Sequence, residues 1–214
     1  MDGEKEVLNG NLMNIKTYRI TPKNTFNLDA EDIHFRICES QFTRWSATGG
    51  NYGGQGYTVS EVQYIVNPAL FKTFQNAKEK LAKRHGFLLE SMKPLLLFHG
   101  TSPKNMENII KTNFLISKVG STTDMGYYGK GVYFSEYPGT SISYSGGNPY
   151  LFICLVYVGK AYKMQNVVTG CALTKGYDSH ISPCGSEVVI FDTDCILPCY
   201  KVKYSGNGYN YDYD

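Results

Sequence analysis

The sequence predicts an α+β domain built on a split, antiparallel β-sheet with few helices. Three observations carry this. The 214 residues suit one domain at about 150 residues per domain. Short β-branched and aromatic runs dominate the second half of the chain. Too few helical periods separate those runs for the alternating strand and helix order of a doubly wound parallel sheet. With 42% hydrophobic and 19% charged residues, the chain has enough apolar material for a core and too little charge to stay unfolded.

Residues 1–27 are mixed and polar, and the tail from Ser205 lacks apolar periodicity, so a loose N-terminal extension and a flexible tail (205–214) are expected around a working domain at 28–204. From Asp29 to about Trp45, Ile33, Phe35, Ile37 and Phe42 suggest one helical face, with Asn27 or Asp29 as cap. Ala47 to Gly56 contains five glycines and reads as a loop. Tyr57 to Val66 alternates as a half-buried strand does. The strongest element follows: Asn67 can cap, Pro68 takes the first helical position, Leu70, Phe74, Ala77 and Leu81 recur at helical spacing, and Gly86 can close the end. Then come Leu95 to Phe98, a short helix opened by Ser102 and Pro103, and strands at Val132 to Ser135, Leu151 to Val158, Val188 to Phe191 and Tyr200 to Tyr204.

Net charge is +2, from 21 basic and 19 acidic residues, so binding to duplex nucleic acid or anionic lipid has no electrostatic support. The longest apolar run, Leu151 to Val158, is far below the ~20 residues of a membrane span. Charge at the start of the chain replaces the apolar stretch of a signal peptide, and an intracellular protein is expected. Cys38, Cys154, Cys171, Cys184, Cys195 and Cys199 form no C-x-x-C pair and read as reduced thiols. A zinc site from His180, Cys184, Cys195 and Cys199 is the weaker alternative, because the spacing is loose.

The 18 tyrosines and 22 glycines set aromatic surfaces beside tight turns, a pairing that suits a flat-ring ligand. Gly129-Lys130-Gly131 fails as a dinucleotide fingerprint, because Phe134 replaces the third glycine and a strand follows. No P-loop pattern occurs. The remaining candidates sit at strand ends: His99, Tyr133, Tyr144 and Glu187.

Three segments, LFHGTSP, YYGKGVYFSEYPGTSISYS and GSEVVIFDTDCILPCYKVKY, together resemble the catalytic domain of the poly(ADP-ribose) polymerases, the diphtheria-toxin-like ADP-ribosyltransferases. The resemblance runs from about Thr58 to Tyr204. It implies a split-sheet ADP-ribosyltransferase fold without a regulatory helical subdomain, and a His-Tyr-Glu triad of His99, Tyr133 and Glu187. By the same resemblance, His99 bonds the adenosine ribose of NAD, and Gly100 offers its backbone to the nicotinamide carboxamide. Thr101 joins the NAD-binding set beside them. Ser141 also holds the carboxamide, and Tyr144 stacks on the nicotinamide ring with Tyr133 on the other side. Ser117 to Tyr128 corresponds to the loop over the donor and Val167 to Ser182 to the loop facing the acceptor.

Cleaving the ribose–nicotinamide bond builds positive charge on the sugar, so a carboxylate beside it lowers the barrier. Glu187 is expected to supply it, with NAD consumed as substrate and no metal. The implied activity is transfer of ADP-ribose to protein acceptors, the chain itself among them, by a monomer sensitive to nicotinamide-like inhibitors. Where polymerising members carry a lysine before the pocket serine, this chain has Thr140, which leaves single-unit and chain transfer both open. The GYDSHIS stretch resembles macrodomain-linked or tankyrase-side relatives more than DNA-damage-activated ones, and constitutive NAD access is expected. The alternative from another class is a catalytically silent module that binds NAD or ADP-ribose.

Overall fold

A computed structural model describes residues 3–23, 29–46, 56–119 and 126–206, and side chains 44–46 are excluded. In chain order the elements are α1 Gly3–Leu8, β1 Lys16–Ile20, α2 Ala30–Ser46, β2 Thr58–Val66, α3 Pro68–His85, β3 Leu95–His99, α4 Pro103–Thr112, β4 Val132–Phe134, α5 Pro138–Ser143, β5 Tyr150–Val156, β6 Ala161–Lys163, β7 Ser179–Ile181, β8 Val188–Ile190 and β9 Ile196–Ser205. The strands form two sheets, a five-stranded one in the order β1-β2-β9-β5-β3 and a four-stranded one in the order β4-β8-β7-β6. Every pairing is antiparallel except β6 with β7, so the architecture is the expected α+β split sheet. The glycine-rich loop at 47–55 and the tail at 207–214 lie outside the described residues.

Helix α3 forms because its ends are specified locally. The Asn67 side chain accepts from the Leu70 N–H, Pro68 follows, and Gly86 closes the helix at φ 66°. Leucine and phenylalanine at helical spacing then turn one stripe to the core, where Phe74 stacks on Tyr157 with centroids 4.3 Å apart. Asn67 has a second task. Its Nδ2 donates to the carbonyls of Ile110 at 2.9 Å and Lys111 at 3.3 Å, so one buried amide starts α3 and ties down the end of α4.

Helix α2 begins at an Asp29 cap, whose Oδ1 accepts from the Asp32 N–H at 2.8 Å. Its buried face differs from the expected one. Phe35, Cys38 and Phe42 are in the core, Ile37 is half-buried against it, and Ile33 is 46% exposed. Positions 33 and 35 lie about 200° apart around a helix and cannot share a stripe, whereas 35, 38 and 42 can. Phe42 closes the core edge-on to Phe98 at 4.9 Å.

The first 27 residues are not wholly outside the fold. β1 pairs with β2 across Lys16–Ile20, Tyr18 stacks on Tyr64 at 5.9 Å, and Arg19 Nε donates to buried Glu61 at 2.7 Å. The segment KTYRI buries only Ile20 fully, so it carries no strand periodicity of its own and is stabilised by its partner strand. On the other side of β2, β9 runs as an interior strand and contains Pro198, which has no N–H for a ladder. The register shifts between Ile153 and Cys154 opposite it, and β2 pairs with β9 only from Tyr200 onward.

Beyond α3 the chain is anchored to the smaller sheet. Buried Asp178, just before β7, accepts from Arg84 Nη1 and from His85 Nε2, each at 2.6 Å, and from the Lys160 N–H at 2.7 Å. The end of α3 therefore holds the β6–β7 corner of the second sheet.

The twofold role of Asn67 predicts that Asn67→Ala costs about 2 kcal/mol, from a lost cap plus unpartnered carbonyls at the end of α4. For a chain of this size that lowers the melting temperature by about 4–8 °C. Asn67→Asp, which keeps the cap oxygen but sets a buried carboxylate oxygen against the two carbonyls of α4, should lose at least as much. Thermal denaturation of the three proteins checks this, and an alanine variant that melts with the parent refutes it.

Candidate active site

Among the described residues one isolated backbone bridge joins the two sheets. The Phe98 N–H donates to the Ser135 carbonyl at 2.8 Å and the Ser135 N–H returns to the Phe98 carbonyl at 3.1 Å, an antiparallel bridge between the ends of β3 and β4. Beyond it the strands part, and a cleft of about 750 Å³ opens between β3, β4, α4, α5 and the start of β8. That volume is in the range of sites for small molecules and cofactors. His99, Gly100, Thr101, Tyr133, Ser141, Tyr144 and Glu187 all line it. The structure thus brings together every residue that the sequence picks out.

His99 ends β3. Its Nδ1–H donates to the Tyr133 carbonyl at 2.8 Å, and its ring packs edge-on to Phe114 at 4.7 Å and tilted on Phe134 at 5.5 Å. Desolvation in this aromatic floor outweighs the opposing pull of the Tyr133 carbonyl and lowers the ring's pKa to about 4. His99 is therefore neutral near pH 7, with the proton on Nδ1 and Nε2 left as an acceptor, the form that receives a sugar hydroxyl.

Gly100 follows where the loop presses against α5. A Cβ at this position would collide with the Ser141 carbonyl oxygen and come within 3.2 Å of the Ser145 N. Close backbone approach, rather than an unusual φ, requires the glycine. Thr101 is held by Asn105, whose Nδ2 donates to Thr101 Oγ1 at 3.2 Å, and by Asn148, whose Nδ2 donates to the Thr101 carbonyl at 2.9 Å. On the facing wall, α5 carries buried Ser141 and ends at Tyr144, whose ring is 38% exposed at the mouth. The helix is six residues of low helix propensity, and Pro138 at its first position starts it.

Tyr133 presents its ring to the cleft while its hydroxyl is fully used. The Oη accepts from the Tyr128 N–H at 2.8 Å and donates to the Gly129 carbonyl at 2.9 Å, which closes the turn before β4. Its contribution is a surface and a fixed turn, with no proton to give.

Glu187 enters from the start of β8. A reciprocal pair fixes its backbone: its N–H donates to Ser182 Oγ at 3.0 Å and its carbonyl accepts from the Ser182 N–H at 2.9 Å. Among the described residues it is the only acidic side chain lining the cleft, and Lys104 and Lys118 are the only lysines. Close by, the exposed Cys184 thiol is held below its ordinary pKa by hydrogen bonds with Ser182 and Ser186. The Tyr128 phenol is pushed up, by burial first and then by the Glu187 carboxylate and Cys184.

The loop expected over the donor is described at 117–119 and 126–128. Its returning limb is joined to the expected acceptor loop: Val168 N–H donates to Tyr127 O at 2.9 Å, Gly170 N–H to Gly126 O at 2.8 Å, and His180 Nδ1–H to Tyr128 O at 2.7 Å. His180 Nε2 accepts from the Thr174 N–H at 2.9 Å, so both its ring nitrogens are occupied. With Cys184 exposed and Cys195 and Cys199 in the core, the four candidate zinc ligands are in different environments. Among the described residues no group of three or more His, Cys, Asp or Glu is placed to hold a metal. No helix of the described residues is long and apolar enough to cross a membrane.

Sequence reasoning missed the residues that build the pocket from behind. Phe114 and Phe134 desolvate His99, and Ser135 sits where the sheets meet. A buried phenylalanine or serine carries no local mark of what it abuts.

The fold is an α+β split sheet that opens on a cleft lined by His99, Tyr133 and Glu187. The chain belongs to the poly(ADP-ribose) polymerase catalytic domain family, whose model matches residues 36–211. Among curated relatives, mouse and human PARP4, each named a protein mono-ADP-ribosyltransferase, are 32% identical over 136 and 143 residues, which is 53% and 56% of this chain and 7% and 8% of theirs. Human PARP12, named likewise, is 27% identical over 161 residues, 70% of this chain and 22% of its own. The chain thus spans under a tenth of the length of PARP4 and about a fifth of PARP12.

The aromatic floor predicts that His99 titrates near pH 4, well below its ordinary 6.5. The unfolded chain takes up that proton near pH 6.5 and the folded chain only near 4, so this burial destabilises the fold progressively as pH falls from 6.5 to 4 and is without effect above. Imidazole NMR across pH 3–8 reads the midpoint directly, and His99→Gln should flatten the loss of stability over that window. A midpoint near 6.5 contradicts the desolvated floor.

Proposed function

We propose that this chain transfers ADP-ribose from NAD to protein acceptors, one unit at a time. The observation that carries the reading is the meeting of His99, Tyr133 and Glu187 on one cleft whose only described carboxylate is Glu187. The residues present suit NAD. His99 Nε2 is an acceptor for a ribose hydroxyl, the backbone at Gly100 is stripped of a side chain for an amide, Ser141 adds a hydroxyl, and Tyr133 and Tyr144 supply ring faces. Lys104 and Lys118 line the same cleft and complement a diphosphate.

When bound, NAD supplies a glycosidic bond to a good leaving group, nicotinamide. The protein holds the ring and carboxamide at Gly100, Ser141 and the two tyrosines, which converts binding energy into orientation. Glu187 accepts a hydrogen bond from the ribose and opposes the positive charge that grows on the sugar as the C1–N bond breaks. The acceptor oxygen or sulfur then bonds to C1 and gives its proton to solvent or to Glu187. Neutral His99 matters here, because only an unprotonated Nε2 accepts a hydrogen bond from the adenosine ribose hydroxyl.

Two observations support single units. Thr140 lines the cleft where, by the family resemblance, polymerising members have a lysine, and the relatives are named mono-ADP-ribosyltransferases.

Purified chain incubated with labelled NAD should become labelled in discrete bands, without a smear. Glu187→Gln should cut the rate by at least about a hundredfold and leave affinity for a nicotinamide analogue unchanged. Equal labelling by both proteins removes Glu187 from the chemistry. An analogue bound by a parent that never labels identifies a silent binding module.

A further inference from the structure

We propose that Ser135 is a positioning residue that keeps three walls of the cleft in register. It touches neither sugar nor ring in this role and acts through the segments it joins. The three polar groups of this one residue, which is 1% exposed, make four hydrogen bonds. Its N–H and carbonyl make the bridge to Phe98, the residue before His99. Its Oγ–H donates to the Ser186 carbonyl at 2.6 Å, the residue before Glu187. The same Oγ accepts from the Tyr137 N–H at 3.0 Å, at the start of the short helix that carries Ser141 and leads to Tyr144.

Phe98 and Ser186 each lie next to a residue of the proposed machinery, and Tyr137 opens the helix that carries one. Tyr133, two residues before Ser135, receives the His99 Nδ1–H. The hydroxyl must donate and accept at once, which a methyl, an ammonium or a thioether cannot do. Its removal leaves a carbonyl and an amide buried without these partners, and both will move to find others. α5 starts at Pro138 with no side-chain cap at Tyr137, and the Ser135 hydroxyl holds the Tyr137 N–H just before it. A displacement of about 1 Å at Glu187 or at the ring shelf is enough to cost about a hundredfold in rate.

The kinetic readout rests on the transferase reading; the structural one does not. Ser135→Ala removes the hydroxyl without adding bulk. Ser135→Thr and Ser135→Val form a pair of nearly equal shape that differs in the hydroxyl alone. The alanine and valine variants should lose about a hundredfold in kcat with a much smaller change in KM for NAD, and threonine should recover most of the loss. Amide exchange by mass spectrometry should quicken together in 95–101, 136–146 and 182–190 in the alanine and valine variants and stay near the parent in threonine. Variants that melt earlier yet keep kcat per folded molecule, or exchange that quickens in β4 alone, overturn the proposal. A parent that transfers nothing while the three segments still loosen together overturns the transferase reading and leaves Ser135 in its role.

Discussion

The two hydrogen bonds between Phe98 and Ser135 are the hinge of the architecture, because they are where the two sheets are stitched and where they begin to diverge. A single bridge lets the sheets share a core on one side and separate on the other. Phe98 and Phe134 sit on the closed side, fully buried, and Phe42 packs edge-on against Phe98. On the open side the strands end in residues with polar reach, His99 and the turn at Ser135. A continuous ladder between β3 and β4 would have filled the space with backbone hydrogen bonds and left no cleft.

From this constraint the electrostatic character of the site follows. His99 lies one residue past the closed side, so it inherits the aromatic packing of Phe114 and Phe134 and loses its proton affinity, with a pKa of about 4. The Tyr133 carbonyl sets the tautomer and the phenylalanines set the charge. Core packing and site chemistry are therefore one fact here, and a substitution that lets water reach the back of His99 changes both. On the far side, Asp178 holds Arg84 and His85 of α3 against the β6–β7 corner, which keeps the second sheet from rotating about the bridge.

Local signals explain what was readable from the residues alone. α3 was legible because Asn67, Pro68 and Gly86 mark its ends and its apolar stripe has the helical period. β2, β3, β5 and β8 were legible as β-branched or leucine-rich runs, and the site residues were legible through the three segments that resemble the family, since a polar side chain at a strand end is by itself a weak signal. β1, β6 and β7 were missed. Each is three to five residues long, and their pairing comes from neighbours far away in sequence. α5 was missed too, since Gly139, Thr140 and the serines favour no helix, and it is Pro138, the contact with Gly100 and the Ser135 hydroxyl that hold it. In α2 the apolar residues were correctly seen and wrongly grouped, because Ile33 and Phe35 lie on opposite sides of the cylinder.

The loops complete the argument from connectivity to chemistry. The limb at 126–131 is hydrogen-bonded to Val168, Gly170, Cys171 and His180, and through the Tyr133 hydroxyl to the strand whose carbonyl orients His99. A chain of contacts thus runs from His180, through Tyr128 and Tyr133, to the His99 ring. Each link is a backbone group paired with a buried or half-buried side chain, so a shift at one end cannot be absorbed by a flexible surface residue in between. The limb at 126–131 and the segment at 168–180 therefore form a single hydrogen-bonded wall.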